Sequence, residues 1–109
     1  MGILDLLRTP ATLYQGIAVR HDSGAEELQW AVFSQERVTV WPWTKPSDLP
    51  PGHAERTTHE VVTRYIPELA AAPQGRWKVR VGAREFVVID AHDPMGRGSH
   101  LEVRCRRIL

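Results

Sequence analysis

The sequence has a single cysteine, almost no excess of charge and no long apolar run. Cys105 alone excludes an internal disulfide and a multi-cysteine zinc site. A net charge of +1 excludes the global basic excess that is typical of a dedicated nucleic-acid-binding protein. The start of the chain is too short to span a membrane and lacks the features of a secretory signal, so we expect synthesis in the cytoplasm.

The composition is that of one small folded domain. The chain has 109 residues, of which 42% are hydrophobic, and this is enough for a single modest core. Eight prolines and eight glycines indicate many turns between short elements, which favours strands over long helices. We therefore expect residues 1–109 to form one domain.

Alternating apolar and polar residues predict five or six short strands separated by turns. The clearest pair of strands flanks Gly82 and Ala83, where glycine at the first central position suits a type II′ hairpin turn. This turn places Arg80 opposite Glu85, so that the two charges attract each other. Short strands at this spacing predict an all-β fold, a small antiparallel β-barrel or sandwich.

Two segments do not follow the alternating pattern. Residues 1–12 contain a short amphipathic stretch at 3–7, which predicts a helical extension that needs a surface to pack on. Residues 44–56 contain three prolines and predict one long irregular loop. A loop of this length in so small a domain is usually functional.

Four apolar residues are candidates for a subunit or partner interface. Trp41 and Trp43 share the strand face opposite the neighbouring valines, so they point outward if those valines fill the core. Exposed tryptophan is typical of protein–protein contacts. Val87 and Ile89 fall on the otherwise polar face of their strand, and the N-terminal segment or another subunit must then cover them.

Positive side chains form two rows on predicted outer faces. The candidate basic face consists of Arg76, Lys78, Arg80, Arg104 and Arg106. Such rows can contact DNA phosphates, although a solvated outer face is the more common reason for them. Trp77 alternates inward, away from these cations, so the sequence predicts no platform for base stacking.

The sequence contains no arrangement of residues that is typical of catalysis. None of the five histidines has the spacing of zinc ligands on a helix. Asp93 is explained by a turn and Glu85 by its partner Arg80, so neither belongs to a catalytic carboxylate pair. Cys105 alternates inward and is predicted to be a small buried hydrophobe. We expect no catalytic residue, no cofactor and no metal, and the protein is predicted not to be an enzyme.

Four pieces in the second half of the chain, in this order, resemble the phage head-tail joining family, also called head-closure or stopper proteins. The pieces are RYIP at 64–67, GAR at 82–84 followed by Phe86, DPMGR at 93–97, and LEVRC at 101–105. The order and spacing of the pieces carry the resemblance, which covers about half of the chain. The sequence departs from the family at the hairpin tip, where Ala83 replaces a second glycine, and in its N-terminal extension.

The resemblance implies a structural virion protein with a small β-barrel fold and no enzymatic activity. Members form a homo-oligomeric ring, here expected to hold roughly six or twelve copies, that closes the DNA-filled head and docks the tail. The implied partners are the portal or adaptor protein above and the tail terminator or tail tube protein below. Non-specific contact with genomic DNA in the channel is possible, and no membrane partner is expected. The expected location is the head-tail connector of a virion, after synthesis in the host cytoplasm.

The resemblance also implies a role for the long loop. In the family, a loop between strands can project towards the channel and help to retain DNA, and residues 44–56 occupy its place. Lys45 and Arg56 are then the candidate channel-loop residues close to DNA. Two alternatives stay open, a tail-completion or tail-terminator ring protein and a small nucleic-acid-binding β-barrel.

Overall fold

The computed structural model describes residues 7–43, 57–71, 76–94 and 96–108. Within these residues the chain forms six strands and one short helix, which confirms the predicted all-β fold. The elements are β1 (Thr9–Arg20), β2 (Glu26–Pro42), β3 (His59–Arg64), α1 (Pro67–Ala71), β4 (Trp77–Val81), β5 (Arg84–His92) and β6 (His100–Ile108).

The six strands pair antiparallel and close into a barrel in the order β1-β2-β3-β6-β5-β4. Strand β1 completes the circle, because it pairs with β2 on one side and with β4 on the other. Helix α1 lies in the connection from β3 to β4, which are not neighbours in the sheet. Of the two predicted architectures, the barrel is therefore the one that the chain adopts, and closure removes the free edges of the paired region.

The β4–β5 hairpin has the predicted register. Arg80 pairs with Glu85, and Val81 pairs with Arg84. Gly82 adopts a φ of 61°, whereas no described residue other than glycine has a positive φ. This combination is that of a type II′ turn, since a type I′ turn would require a positive φ at Ala83 as well.

The core fills the inner face of the barrel. Its largest buried side chains are Trp77 of β4 and Phe86 of β5. The Phe33 ring meets the Trp77 ring edge-on, with 4.9 Å between the ring centroids. Burial stabilises the fold by about 1.5–3 kcal/mol for each large apolar side chain. The other buried residues of the barrel core are Ala11, Leu13, Val38, Val61, Val79, Val81, Val88, Leu101, Val103 and Cys105.

Helix α1 and the start of its connection cover part of the sheet within the chain. The helix packs against β5, and its Leu69 is fully buried together with the preceding Ile66. Ile89 lies at a β-bulge of β5 and is also buried. The chain itself therefore covers most of the Ile89 side chain and leaves little of it for a subunit interface, and the part of Ile89 in such an interface stays a prediction.

The N-terminal segment differs from the expected helical extension over residues 9–12. Strand β1 begins at Thr9, which pairs with Val38, and Ala11 is buried in the core. Pairing with β2 therefore determines the conformation here, since a helix of one or two turns is marginal by itself. Residues 1–6 lie outside the described residues.

Strands β1 and β2 continue beyond the barrel as a two-stranded ribbon. We define the arm as this ribbon together with the two residues of β2 at its base, residues 16–32. Strand β4 pairs with β1 only as far as Gln15, whereas β1 and β2 stay paired up to Arg20 and Glu26. The turn at the tip contains Gly24 with a φ of 87°, a conformation that favours glycine. The arm makes the molecule elongated, with extents of 53 × 30 × 29 Å.

One ion pair joins β3 to β2. The Arg64 guanidinium donates from Nε and Nη2 to the two carboxylate oxygens of Glu36, at 2.8 and 2.9 Å. The Glu36 side chain is only 7% exposed, so the guanidinium provides donors that water no longer supplies. The same hydrogen bonds are the main reason why the pKa of Arg64 is raised.

We expect Arg64→Ala to lower the free energy of unfolding by about 1–3 kcal/mol, because it leaves a largely buried carboxylate without its charged donors. Chemical denaturation of the purified chain measures the change. The matched control is Arg97→Ala, which removes an exposed arginine and should alter the stability by less than about 0.5 kcal/mol. Equal losses from the two variants would contradict the role of the pair.

Candidate interaction surfaces

A row of one tryptophan and three charged side chains crosses the outer face of four neighbouring strands. The pairing register places Trp41, Glu60, Arg104 and Asp90 side by side, and we call these four residues the outer ladder. The Trp41 Nε1–H donates to Glu60 Oε1 at 2.9 Å, and Arg104 Nη1 lies 3.6 Å from Asp90 Oδ2. The Arg104 guanidinium also lies 5.4 Å from the centroid of the Trp43 ring.

Both candidate tryptophans lie outside the barrel core. Val38 is fully buried and Val40 packs against the core, so the opposite face of β2 points outward. On that face Trp41 is 40% exposed, and Trp43, which follows the end of the strand, is half-buried. Val87 is half-buried on β5. That these three residues belong to a subunit or partner interface stays a prediction.

The basic residues of β4 lie beside aromatic rings of β1 and β2. Lys78 Nζ is 5.5 Å from the centroid of the Tyr14 ring and 5.0 Å from that of the Trp30 ring. Arg80 Cζ is 5.6 Å from the Tyr14 centroid. Alternation along β4 does not reveal these rings, because the pairing of β1 with β4 joins residues that are far apart in sequence.

Carboxylates interrupt the candidate basic face. Glu85 and Asp90 of β5 stand between the cationic rows of β4 and β6, within 4 Å of Lys78 and Arg104 respectively. The side chains of Lys78 and Arg104 are only 16% and 12% exposed. The exposed members of the set are Arg76, Arg80 and Arg106. A surface of mixed charge suits a protein partner better than a phosphate backbone, and its role stays a prediction.

Cations surround one end of the barrel. The buried Phe86 ring lies there, with the His59 ring edge-on at 5.0 Å and the Arg84 guanidinium 5.7 Å from its centroid. Arg107 pairs with Phe86 across β5 and β6, and its backbone N–H donates to the Thr58 hydroxyl at 2.8 Å. We call this site the basic mouth, and define it by Thr58, His59, Arg84, Arg106, Arg107 and Ile108.

The residues that flank the predicted channel loop lie beside the basic mouth. Residues 44–56 lie outside the described residues, and with them the candidates Lys45 and Arg56. The two flanks of the segment meet, because the Trp43 N–H donates to the Thr58 carbonyl oxygen at 3.0 Å.

The arm carries exposed apolar side chains on both faces. Its register places Leu28 and Trp30 on the same face as Val32, and Ile17 on the other face. Val32 is 60% and Ile17 is 50% exposed. The Leu28 side chain lies against Gly16, where an added Cβ would be only 2.8 Å from Leu28 Cδ1. The sequence does show apolar residues at both odd and even positions of these two strands. Alternation alone, however, does not tell whether other parts of the fold cover the two faces of the ribbon.

Other polar clusters shape the fold. The Asp93 carboxylate accepts a hydrogen bond from the Gly98 N–H at 2.9 Å, which confirms that Asp93 serves the turn before β6. Among the described residues, no group of three His, Cys, Asp or Glu side chains is placed to hold a metal ion. No helix in this part of the chain is long and apolar enough to cross a membrane.

Comparison with known proteins gives the family. The family model described as phage head completion protein matches residues 6–108, which is nearly the whole chain. The chain belongs to the phage head completion protein family. It is therefore a structural protein associated with the virion, as the resemblance implied, and the family is not known for enzymatic activity.

Two solved structures share the fold of this head completion protein. A chain from the virion of a native gene transfer agent particle is similar with a TM-score of 0.65 and 22% identity, over 93% of each chain. Protein SF1141 from Shigella flexneri 2a is similar with a TM-score of 0.69 and 18% identity, over 92% of this chain and 91% of its own. A search of curated protein sequences gives no match.

Cys105 is fully buried, as its position in the alternating pattern predicts. Burial, with a smaller contribution from the charge of Glu60, raises the pKa of the Cys105 thiol to about 12. We expect the folded chain to resist alkylation by iodoacetamide, because the thiolate is the reactive form. Mass spectrometry should show one adduct only after denaturation. Rapid labelling of the folded chain would contradict this assignment.

The basic mouth should be visible in the titration of His59. Burial, followed by the positive charges of Arg84 and Arg107, lowers the pKa of His59. NMR titration of the imidazole should give a midpoint below the ordinary value of about 6.5. The Arg107→Gln variant should raise that midpoint, because it removes one of the charges.

The same shift makes His59 favour the folded state at neutral pH, where it is uncharged. The unfolded chain binds the proton more readily, so this contribution is lost as the pH falls below about 6.5. A midpoint at or above that value would contradict the cationic environment.

Proposed function

We propose that this head completion protein forms a homo-oligomeric ring at the junction of head and tail. There it closes the DNA-filled head and provides the surface on which the tail docks. The observation that carries the proposal is the arm, because a two-stranded ribbon with exposed apolar residues on both faces is marginally stable in water. Such a ribbon is expected in a protein that works only beside its neighbours.

The closed barrel supports the same conclusion. Where each strand already has a neighbour on both sides, no further strand can be added, so in that region the contacts would be made by side-chain surfaces. Repeating one heterologous pair of surfaces around an axis produces a ring. Trp41 and Val87, on the outer face, are the candidates for contacts with the portal or adaptor protein above and with the tail terminator or tail tube protein below.

The long segment at residues 44–56 is the part that we assign to the DNA channel. Its flanks, Trp43 and Thr58, are joined by a hydrogen bond at one end of the barrel, and the segment's own positive charges favour a nearby phosphate backbone. Lys45 and Arg56 would contact that backbone without reading its sequence. A ring places several copies of the segment around one axis, so weak contacts from each copy add up.

Electron microscopy of particles assembled without this protein tests the proposal. We expect heads that leak or lose DNA and that stay separate from finished tails, because the closing ring and the docking surface are both missing. Complementation with the wild-type chain should restore filled, tailed particles. Normal heads joined to normal tails in its absence would overturn the proposal.

The same micrographs distinguish the closely related terminator role. Loss of a tail terminator should leave the heads filled and the tails abnormal in length, because the terminator acts on the tail. That outcome would replace the head-closing position by one at the end of the tail.

A further inference from the structure

The tip of the arm is acidic. Residues 20–27 contain one arginine, Arg20, and three carboxylates, Asp22, Glu26 and Glu27, so their net charge is −2 when histidine is neutral. Arg20 Nη2 lies 3.0 Å from Glu26 Oε1, and both side chains are largely exposed. The tip therefore presents excess negative charge at the end of an apolar ribbon.

The basic mouth lies at the opposite end of the barrel from the arm. The arm leaves the barrel beside Trp77, the first residue of β4, which pairs with Gln15. The mouth lies beyond Val81, the last residue of β4, where Arg84 starts β5 and Ile108 ends β6. Because the arm points away from the mouth, a chain cannot place its arm tip in its own mouth.

The mouth combines uncompensated positive charge with apolar surface. Within the described part of the chain, neither Arg106 nor Arg107 forms a salt bridge with a carboxylate. Ile108 is 37% exposed beside them. Charges of the same sign that gather without a counterion raise the energy of the isolated chain, so an acidic and partly apolar partner would relieve them.

We propose that the arm of one copy of this chain binds the basic mouth of the next copy. Glu26 and Glu27 would approach Arg106 and Arg107, while the apolar residues of the arm pack beside Ile108. The contact is heterologous, since two different surfaces meet, and its repetition forms a closed ring or an open chain according to the angle between copies. This inference deepens the proposed ring and rests on it.

A second copy explains more of the surface than DNA does. DNA in the mouth would neutralise the arginines, but it would leave Leu28, Trp30 and Val32 of the arm exposed to water. A neighbouring copy satisfies the acidic tip, the apolar ribbon and the basic mouth in one contact. Both halves of the contact are present in every chain, as a ring of identical subunits requires.

Charge reversal in the purified chain of 109 residues tests the contact. The arm variant is Glu26→Lys with Glu27→Lys, and the mouth variant is Arg106→Glu with Arg107→Glu. Sedimentation measures self-association over a concentration series up to about 1 mM. Each variant alone should associate at least about tenfold more weakly than the wild-type chain, because like charges then meet in the contact.

An equimolar mixture of the two variants should recover association to within about threefold of the wild-type chain. In alternating order, the lysines of one variant meet the glutamates of the other, and the remaining contacts are those of the wild type. Circular dichroism and thermal melting verify that each variant is folded. The matched control carries Glu68→Lys with Arg97→Glu, exposed charges outside the arm and mouth, and should associate like the wild type.

The inference is overturned if the wild-type chain does not associate, if each variant associates as strongly as the wild type, or if the mixture does not recover. Binding of the same variants to duplex DNA is measured in parallel. If the mouth variant loses DNA binding while its self-association is unchanged, the mouth is assigned to DNA instead. Because these measurements use the chain in solution, they are independent of the micrographs. If the mixture recovers association but particles assembled without the protein are normal, the contact between copies is supported and the proposed location at the junction of head and tail is overturned.

Discussion

Four residue pairs between β1 and β4, from Thr12–Arg80 to Gln15–Trp77, close the sheet into a barrel. They give every strand of the barrel a neighbour on each side and allow the inner face to bury a continuous apolar core. The pairs end at Gln15, while β1 and β2 remain paired with each other for several more residues. The position at which closure stops therefore produces both the rigid body and the arm.

Ion pairs between neighbouring strands neutralise charge on the outer surface of the barrel, and the excess charge lies elsewhere. Around the middle of the barrel, the outer ladder and the contact between Lys78 and Glu85 bring opposite charges together across strands. Excess charge of opposite sign lies at the two ends, with a net negative charge at the arm tip and arginines at the mouth. A chain with a net charge of only +1 is thus polarised along its longest dimension.

Local patterns predicted the parts of the fold that depend on local geometry. The register of β4 and β5 follows from the two-residue turn at Gly82, and the inward position of Cys105 follows from alternation. The start of β1 was not predictable in this way, because pairing with Val38 of β2 determines it. The burial of Ile89 was not predictable in this way either, because a bulge in the pairing of β5 with β6 interrupts the alternating pattern at this residue.

The interaction surfaces were less predictable than the fold. Alternation identified the apolar and basic residues, but not which of them stay exposed after the barrel closes. Lys78 beside Trp30 and Arg104 beside Trp43 are contacts between strands distant in sequence. The basic mouth gathers residues from β3, β5 and β6, and no short stretch of the sequence contains a signal for that cluster.

The bulge at the base of the arm has a consequence for the size of the assembly. Leu13 pairs with Ser34 and Tyr14 with Val32, so Phe33 is the extra residue. A bulge bends and twists its strand, and the packing of the Phe33 ring on Trp77 anchors that bend in the core. In a ring built through the arm, the direction of the arm relative to the barrel determines the rotation from one copy to the next. The number of subunits that complete the circle then depends on the geometry of a single unpaired residue.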